Sequence, residues 1–270
     1  MPEDPKPFPA PYPETQHQLA LDPDVLAREL AAELLGDPLD EIEPGDFTAA
    51  DVANECDQGL AWLRGEREQV MQGLRVFCEH RDPRAVPLLL PLLEQACPIL
   101  RMSAVYALGR NAHPLAVEPL LRLLGADDNG YVRKAVAWSL SNYAEAPVLN
   151  PLIRALQVDV AAVRLWAASS LADASAAAPA KADPAAAQLL QTLRIDSEAA
   201  VRSNSAWSLG RLFPDLVEPR QREVVEALLH CLLLDEDPAV RDEARMALEQ
   251  LEQPEVLERL QTLVEEGLLT

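Results

Sequence analysis

Four aromatic residues, Tyr106, Trp138, Trp166 and Trp207, recur along the middle of the chain close to Arg110, Asn142 and Arg211. Aromatics make up only 4% of the sequence, so the rest of any core must be aliphatic and each ring is informative. Flat rings beside guanidinium groups suit two kinds of chemistry. They can cover a planar ligand whose carboxylates an arginine grips with two parallel hydrogen bonds, or they can anchor a protein partner. Bond-making chemistry has no comparable signal. The chain contains no P-loop, no G-x-S-x-G, no H-E-x-x-H and no dinucleotide fingerprint. His17, His80, His113 and His230 stand in no triad arrangement with a serine, cysteine or carboxylate.

Thiols are the second candidate chemistry. Cys56, Cys78, Cys97 and Cys231 show no CxxC spacing, which predicts reduced thiols rather than a disulfide framework. Cys78 with His80, and His230 with Cys231, are too close in sequence to share a helix face, so neither pair chelates alone. Cys56, Cys78 and Cys97 belong to successive early helices and would need tertiary structure to converge on a metal; small buried apolar residues are the simpler reading. Cys97 differs because it stands just before Pro98 at a helix start, where a thiolate is electrostatically favoured.

The elements that carry these residues repeat. NGYVRKAVAWSLSN (129–142) returns as CPILRMSAVYALGR before it and as VAAVRLWAASSLAD, EAAVRSNSAWSLGR and DPAVRDEARMALEQ after it. Arg101, Arg133, Arg164, Arg202 and Arg241 mark these copies at steps of 32, 31, 38 and 39 residues. Self-similarity at this period predicts stacked helix pairs, an all-α solenoid of about five to six repeats. In each pair a first-type helix (85–95, 116–126, 148–158, 185–195, 223–234) precedes a polar turn and the arginine-bearing helix. Longer connectors at 172–183 and 213–220 account for the wider late spacing, and 254–266 reads as a C-terminal capping helix.

At about 100° per residue, positions −1, +3 and +7 from each arginine share one side and form the buried stripe. Position +5 (Tyr106, Trp138, Ser169, Trp207, Met246) points about 200° from the centre of that stripe, with Trp166 and Asn204 at +2 and Arg110, Asn142, Asp173 and Arg211 at +9. Two readings follow: the rings wedge between neighbouring helices, or they form a ridge for a partner or ligand. The repeat arginines have a structural role, each pairing with an acid of the turn before it: Asp128, Asp159, Asp196 and Asp237 for Arg133, Arg164, Arg202 and Arg241.

The domain reading is a proline-rich acidic tail (1–20), read as disordered, then an N-terminal helical cap (21–65) with helices at Asp22–Leu35 and Thr48–Leu63. The repeat array takes 66–270 and opens with a degenerate first repeat in which Val70 replaces the arginine. Net charge is −21, and residues 1–60 carry 15 acids against two bases. That field repels phosphate backbones, so nucleic acid is an unsuitable partner. No apolar run approaches the roughly 20 residues that span a bilayer, and the N-terminus has no secretory-signal pattern, so the expected location is the cytoplasm.

The alternation of helix pairs resembles HEAT repeats. The core V-R-x-x-A-x-x-x-L-G, seen at Leu100-Arg101/Ala104/Leu108-Gly109, Val132-Arg133/Val136/Leu140, Val163-Arg164/Ala167/Leu171, Val201-Arg202/Ser205/Leu209-Gly210 and Val240-Arg241/Ala244/Leu248, is similar to the phycobilisome-lyase HEAT-like family. NGYVRKAVAWSLSNYAEAPVLNPLIRAL with AAVRLWAASSLAD resembles cyanobacterial single-chain relatives of the E/F-type bilin lyases, among them the IaiH type, which is linked with iron–sulphur cluster metabolism. The resemblance implies a scaffold or chaperone holding a phycobiliprotein subunit or a transient phycobilin on a concave face made by the arginine-bearing helices. Tyr106, Trp138, Trp166 and Trp207 would cover the tetrapyrrole or client helix, with Arg110 and Arg211 for propionates or acidic side chains. E/F lyases commonly work as pairs of chains, and this single chain departs from that. The alternative that the likeness implies is a non-catalytic adaptor in iron–sulphur cluster assembly or sensing, with a cluster-assembly protein as partner.

Overall fold

The computed structural model describes residues 48–175 and 178–269. The tail 1–20, the expected helix Asp22–Leu35 and the loop after it lie outside the described residues. Among the described residues there is no strand, and thirteen α-helices follow one another. They are α1 (Ala49–Trp62), α2 (Arg67–Glu79), α3 (Val86–Leu89), α4 (Pro98–Arg110), α5 (Pro114–Ala126), α6 (Gly130–Ser139) and α7 (Leu149–Val158). Then come α8 (Ala161–Ser175), α9 (Pro179–Ile195), α10 (Ala199–Leu212), α11 (Glu218–Leu234), α12 (Pro238–Gln250) and α13 (Pro254–Glu265).

Local chemistry explains the helix starts. Pro98, Pro114, Pro238 and Pro254 open α4, α5, α12 and α13, where the N–H they lack has no partner in a helix anyway. Asn129 caps α6 by accepting from the Tyr131 and Val132 backbone N–H at 2.9 and 3.3 Å. Asp237 caps α12 through Ala239 N–H at 2.8 Å. Such caps matter because the first turn of a helix leaves its N–H groups unpaired.

Two layers result. The arginine-bearing helices α4, α6, α8, α10 and α12 pack in a row, with α2 before them; α5, α7, α9 and α11 form the other layer. The stripe at −1, +3 and +7 lies between the layers and is buried, from Leu100, Ala104 and Leu108 through Val240, Ala244 and Leu248. Burying a leucine as completely as Leu140 contributes roughly 2 kcal/mol. The arginine-bearing helices approach one another more closely than the first-type helices do. Small residues at position +6 allow it: Ala107, Ser139, Ser170, Ser208 and Ala247 are all buried. Gly109 has the same role, since a Cβ there would come within 2.7 Å of Ser139 Oγ and 2.9 Å of Trp138.

Prolines shape the other layer in ways that differ from the sequence reading. Instead of one helix over 85–95, the chain forms a 3-10 turn (Pro83–Ala85), the four-residue α3 and a second 3-10 segment (Leu90–Glu94). Pro87 and Pro91 remove the N–H groups a continuous helix would use. Pro151 falls in the first turn of α7, where it is harmless, whereas Pro119 and Pro184 lie inside α5 and α9. The expected connector 172–183 is largely helical, because α8 runs to Ser175 and α9 starts at Pro179. Its alanines are the best helix formers, Ala182 is buried, and Lys181 Nζ donates to the Ala144 carbonyl. α11 likewise begins at Glu218 rather than 223, after a 3-10 turn at Phe213–Asp215.

Candidate binding face

An arginine–aspartate ladder positions the helices that carry the aromatic residues. Arg133 Nη1 donates to the Asp127 carbonyl of its own turn at 2.8 Å. Its Nε and Nη2 reach both oxygens of Asp159, in the next repeat, at 2.9 and 2.6 Å. Arg101 does the same to Asp127 (2.8 and 2.9 Å), Arg164 to Asp196 (both 2.8 Å) and Arg202 to Asp235 (2.9 and 2.8 Å). For Arg133, Arg164 and Arg202 the expected pairing with the acid of their own turn is therefore corrected to a pairing across repeats, while Arg241 donates instead to the Asp235 and Glu236 carbonyls of its own turn at 2.7 and 3.2 Å. Geometry decides it: the carboxylate of each turn already faces backward, accepting from the N–H two residues on at Asn129, Glu198 and Asp237, or from the next residue at Val160.

These pairs are nearly dry; the Asp127 side chain is 3% exposed and Arg101 12%. Burial pushes the Asp127, Asp159 and Asp196 carboxyls up, but the guanidinium and backbone N–H bonds outweigh it and hold all three below the usual carboxylate range. At Asp235 the hydrogen bond from Arg202 is the largest influence and also lowers it. Desolvated pairs of this kind act through geometry, because their mutual attraction roughly offsets the cost of leaving water. They set the distance from one repeat to the next.

Polar side chains add further ties between arginine-bearing helices; of these only Asn204 and Ser169 stood out in the helix pattern, and Ser139, Ser208, Tyr143 and Asn111 did not. Ser139 Oγ donates to the Val105 carbonyl and Ser208 Oγ to the Ala168 carbonyl, both at 2.9 Å. Asn204 Nδ2 donates to the Leu165 carbonyl (3.0 Å) and to Ser169 Oγ (2.7 Å). Tyr143 Oη donates to the Leu108 carbonyl at 2.8 Å. Buried Asn111 takes the Asp82 N–H and donates to the Phe77 and His80 carbonyls, closing the end of α2. A serine at the same register in three repeats, +6, was the available signal.

On this frame the ridge residues fall into two clusters. Tyr106 and Trp138 meet edge to face, centroids 5.3 Å apart and planes at 62°. Beyond them Arg110 and Asn142 line one hollow of about 280 Å³ with Arg81 and His113; Arg110 Nε donates to the Glu79 carbonyl at 3.1 Å. The second cluster is Trp207 under the Arg211 guanidinium, 4.8 Å from the ring centroid, with Arg211 held by Asp173 at 2.7 Å. Trp166, on α8, is partly buried and packs on the core, as Tyr106 and Trp207 do. All four rings are thus neither fully buried nor fully exposed. Tyr106 and Trp138 bridge neighbouring arginine-bearing helices, Trp166 and Trp207 pack one flank on the core and stay partly exposed, and Met246 stands 47% exposed.

The thiols do not gather. Cys56 and Cys231 are buried, and Cys78 contacts the Ser103 carbonyl at 3.8 Å. Burial raises Cys56 and pushes Cys78 and Cys231 up to about 11. Cys97 stands at the start of α4, where the Leu100 and Ile99 N–H groups lower its pKa, and Arg67 Nη2 lies 3.3 Å from its sulfur. Among the described residues no three His, Cys, Asp or Glu side chains come together as a metal site. Nor is any described helix long and apolar enough to cross a membrane.

Helix pairs stacked in two layers, tied repeat to repeat by one recurring ion pair, define an α-solenoid. A family model for HEAT repeats matches residues 66–141, 86–172 and 186–267, so the chain belongs to the HEAT-repeat family. None of the curated proteins matches it. Solved structures share the fold. A designed armadillo repeat protein in complex with the peptide (KR)4 is 20% identical with a TM-score of 0.53, covering 73% of this chain and all of its own. A computationally designed armadillo repeat protein for modular peptide recognition gives 20% and 0.50 over the same shares. Kap95p, from a structure with RanGDP, gives 14% and 0.56; the match covers 89% of this chain and 36% of Kap95p.

Proposed function

We propose that the chain is a non-catalytic scaffold that holds a protein partner against its arginine-bearing layer. The observation that carries this reading is the pair of half-buried aromatic clusters, Tyr106–Trp138 and Trp207–Arg211, on helices locked in place by the ladder. Rigid rings with one free flank and a guanidinium beside them anchor protein partners at little entropic cost. The fold relatives support the class of partner, since a designed armadillo protein is seen with a peptide and Kap95p with RanGDP.

For the specific client, the resemblance to E/F-type bilin lyases points to a phycobiliprotein subunit. The residues present suit that protein better than a bound phycobilin. Tyr106 and Trp138 stack on each other at 62° rather than offering two parallel faces, and Arg211 already serves Asp173. The hollow at Arg110, about 280 Å³, is below the roughly 300–1,000 Å³ of ordinary small-molecule sites.

Purified phycobiliprotein subunits titrated against the full chain test the proposal. Binding that weakens about tenfold or more in Trp138→Ala and Trp207→Ala, with the helical fold retained at the titration temperature, supports it, as expected for central aromatic anchors. Unaltered affinity in both variants sinks the aromatic face. Binding to a cluster-assembly protein in place of the subunits, dependent on Cys56, Cys78 or Cys97, shifts the function to the iron–sulphur adaptor.

A further inference from the structure

The edge where first-type helices turn into arginine-bearing helices carries a second periodic surface, separate from the aromatic clusters. Val158, Ile195 and Leu234 each stand immediately before the turn aspartate that ends their helix. They are 70%, 70% and 69% exposed. A single exposed aliphatic residue is ordinary. Three at the same register in consecutive repeats make a row.

Hollows alternate with these residues. The first, about 550 Å³, lies between Leu124 and Val158; the second, about 560 Å³, between Val158 and Ile195; the third, about 400 Å³, between Ile195 and Leu234. Each has a ladder pair in its lining: Arg133 with Asp159, Arg164 with Asp196, and Arg202 with Asp235. Those guanidinium groups are already matched by carboxylates. The charge left at the edge is acidic, with Asp128 97% and Glu236 89% exposed and only long contacts (3.4 and 3.8 Å) back to Arg101 and Arg202, and with Glu198 exposed as well.

Knobs and hollows in alternation select a ridged partner. Neighbouring helices in a packed layer are about 8–10 Å apart, and seven residues of an α-helix rise about 10.5 Å. A helix laid along the edge would therefore drop an apolar side chain into each successive hollow from every seventh position, in the manner of knobs into holes. Exposed acids in the turns beside the hollows favour lysine or arginine on the helix flanks. Charge disfavours the two occupants nearest to hand. A second copy of this chain, at −21, would set acid against acid, and residues 1–60 of the same chain hold 15 acids and two bases.

We infer that the Val158–Ile195–Leu234 edge is a docking surface for a basic amphipathic helix of a partner protein, with apolar residues at a seven-residue period. Exposed Arg154 lines the first hollow, whereas Arg194 of the third is taken up by Glu223 at 3.1 Å. The preference for basic flanks is accordingly concentrated at the second and third hollows.

A labelled synthetic helix-forming peptide, with leucine at every seventh position and lysine on both flanks, can be titrated against the full chain. Saturable binding is expected. It should weaken about tenfold in Ile195→Ser and further in the combined Val158→Ser, Ile195→Ser and Leu234→Ser variant. These exposed positions leave the melting temperature unchanged. Glu198→Lys with Glu236→Lys should also weaken binding and flatten its salt dependence. Trp207→Ala should leave it intact, which separates this edge from the aromatic face. Equal binding of a peptide whose leucines are moved to every fifth position would overturn the proposal. So would full affinity in the triple serine variant, or a dimer in sedimentation that the triple variant dissolves, since a second copy would then be the occupant.

Discussion

The two helix layers of this array draw on similar helices and are held together very differently. Along the arginine-bearing layer, each helix meets the next through small residues at +6 and through bonds from Ser139, Ser208 and Asn204 to neighbouring carbonyls. The buried ladder from Arg101 to Asp235 runs beside them. Along the first-type layer, prolines interrupt or enter the helices, and the ties range from the exposed Arg122–Glu94 pair at 3.7 Å to the partly buried Gln157–Gln188 bond at 2.6 Å, with no recurring ladder among them. The arginine-bearing layer is thus held at close spacing, which fixes the geometry of Tyr106–Trp138 and Trp207–Arg211, while the first-type layer is more loosely packed.

The strongest way to break this contrast is to cut the ladder. Arg133→Ala leaves the Asp159 carboxylate, 10% exposed, without its counter-ion, and a loss of about 3 kcal/mol or more is expected. Arg122→Ala in the other layer should cost under about 0.5 kcal/mol. Denaturant unfolding of both variants measures the difference, and equal small effects would mean that the ladder is not what ties the layer.

Acid tests the same pairs together. Asp127, Asp159, Asp196 and Asp235 all have folded pKa values below the ordinary one. Their contribution is complete above the unfolded aspartate value near 3.9 and is lost as pH falls through the folded values. Melting temperature should therefore hold between pH 5 and 7, as far as these groups decide it, and drop below about pH 4. A scan that stays level well below pH 4 would show that the carboxylates carry no such linkage.

Two glycines sharpen the comparison at the smallest scale. Gly109→Ala places a methyl 2.7 Å from Ser139 Oγ on the tight layer and should cost about 1–3 kcal/mol. Gly125, in α5 of the loose layer, has nothing within 4 Å of an added Cβ; Gly125→Ala should stabilise by about 0.4–1 kcal/mol. Opposite signs in thermal melts are the expected result.

Much of this was legible in the residues. The period of the five arginines gave the helix pairs, and the −1, +3, +7 pattern gave the buried stripe, because burial on a helix depends only on the turn angle and the apolar spacing. Helix bounds in the first-type layer were less legible. Proline leaves the choice between break, first turn and interior to the packing around it, and Pro87, Pro151 and Pro184 chose differently. The register row Val158, Ile195 and Leu234 is visible once repeats are aligned on the turn aspartate, yet the hollows between them arise only from the packing of successive repeats.

By itself the sequence determined the helical class, the repeat, the core positions and the excess of acid, all consequences of local geometry and composition, while the helix bounds of the first-type layer were left to the packing around its prolines. Tertiary structure alone decided which aspartate each arginine takes. Partners 26 to 33 residues apart won over nearer ones, because a guanidinium is rigid and bidentate and the next turn presents both oxygens to it. It also decided that Tyr106 and Trp138 meet, since contact between residues on different helices depends on how closely and at what register those helices pack.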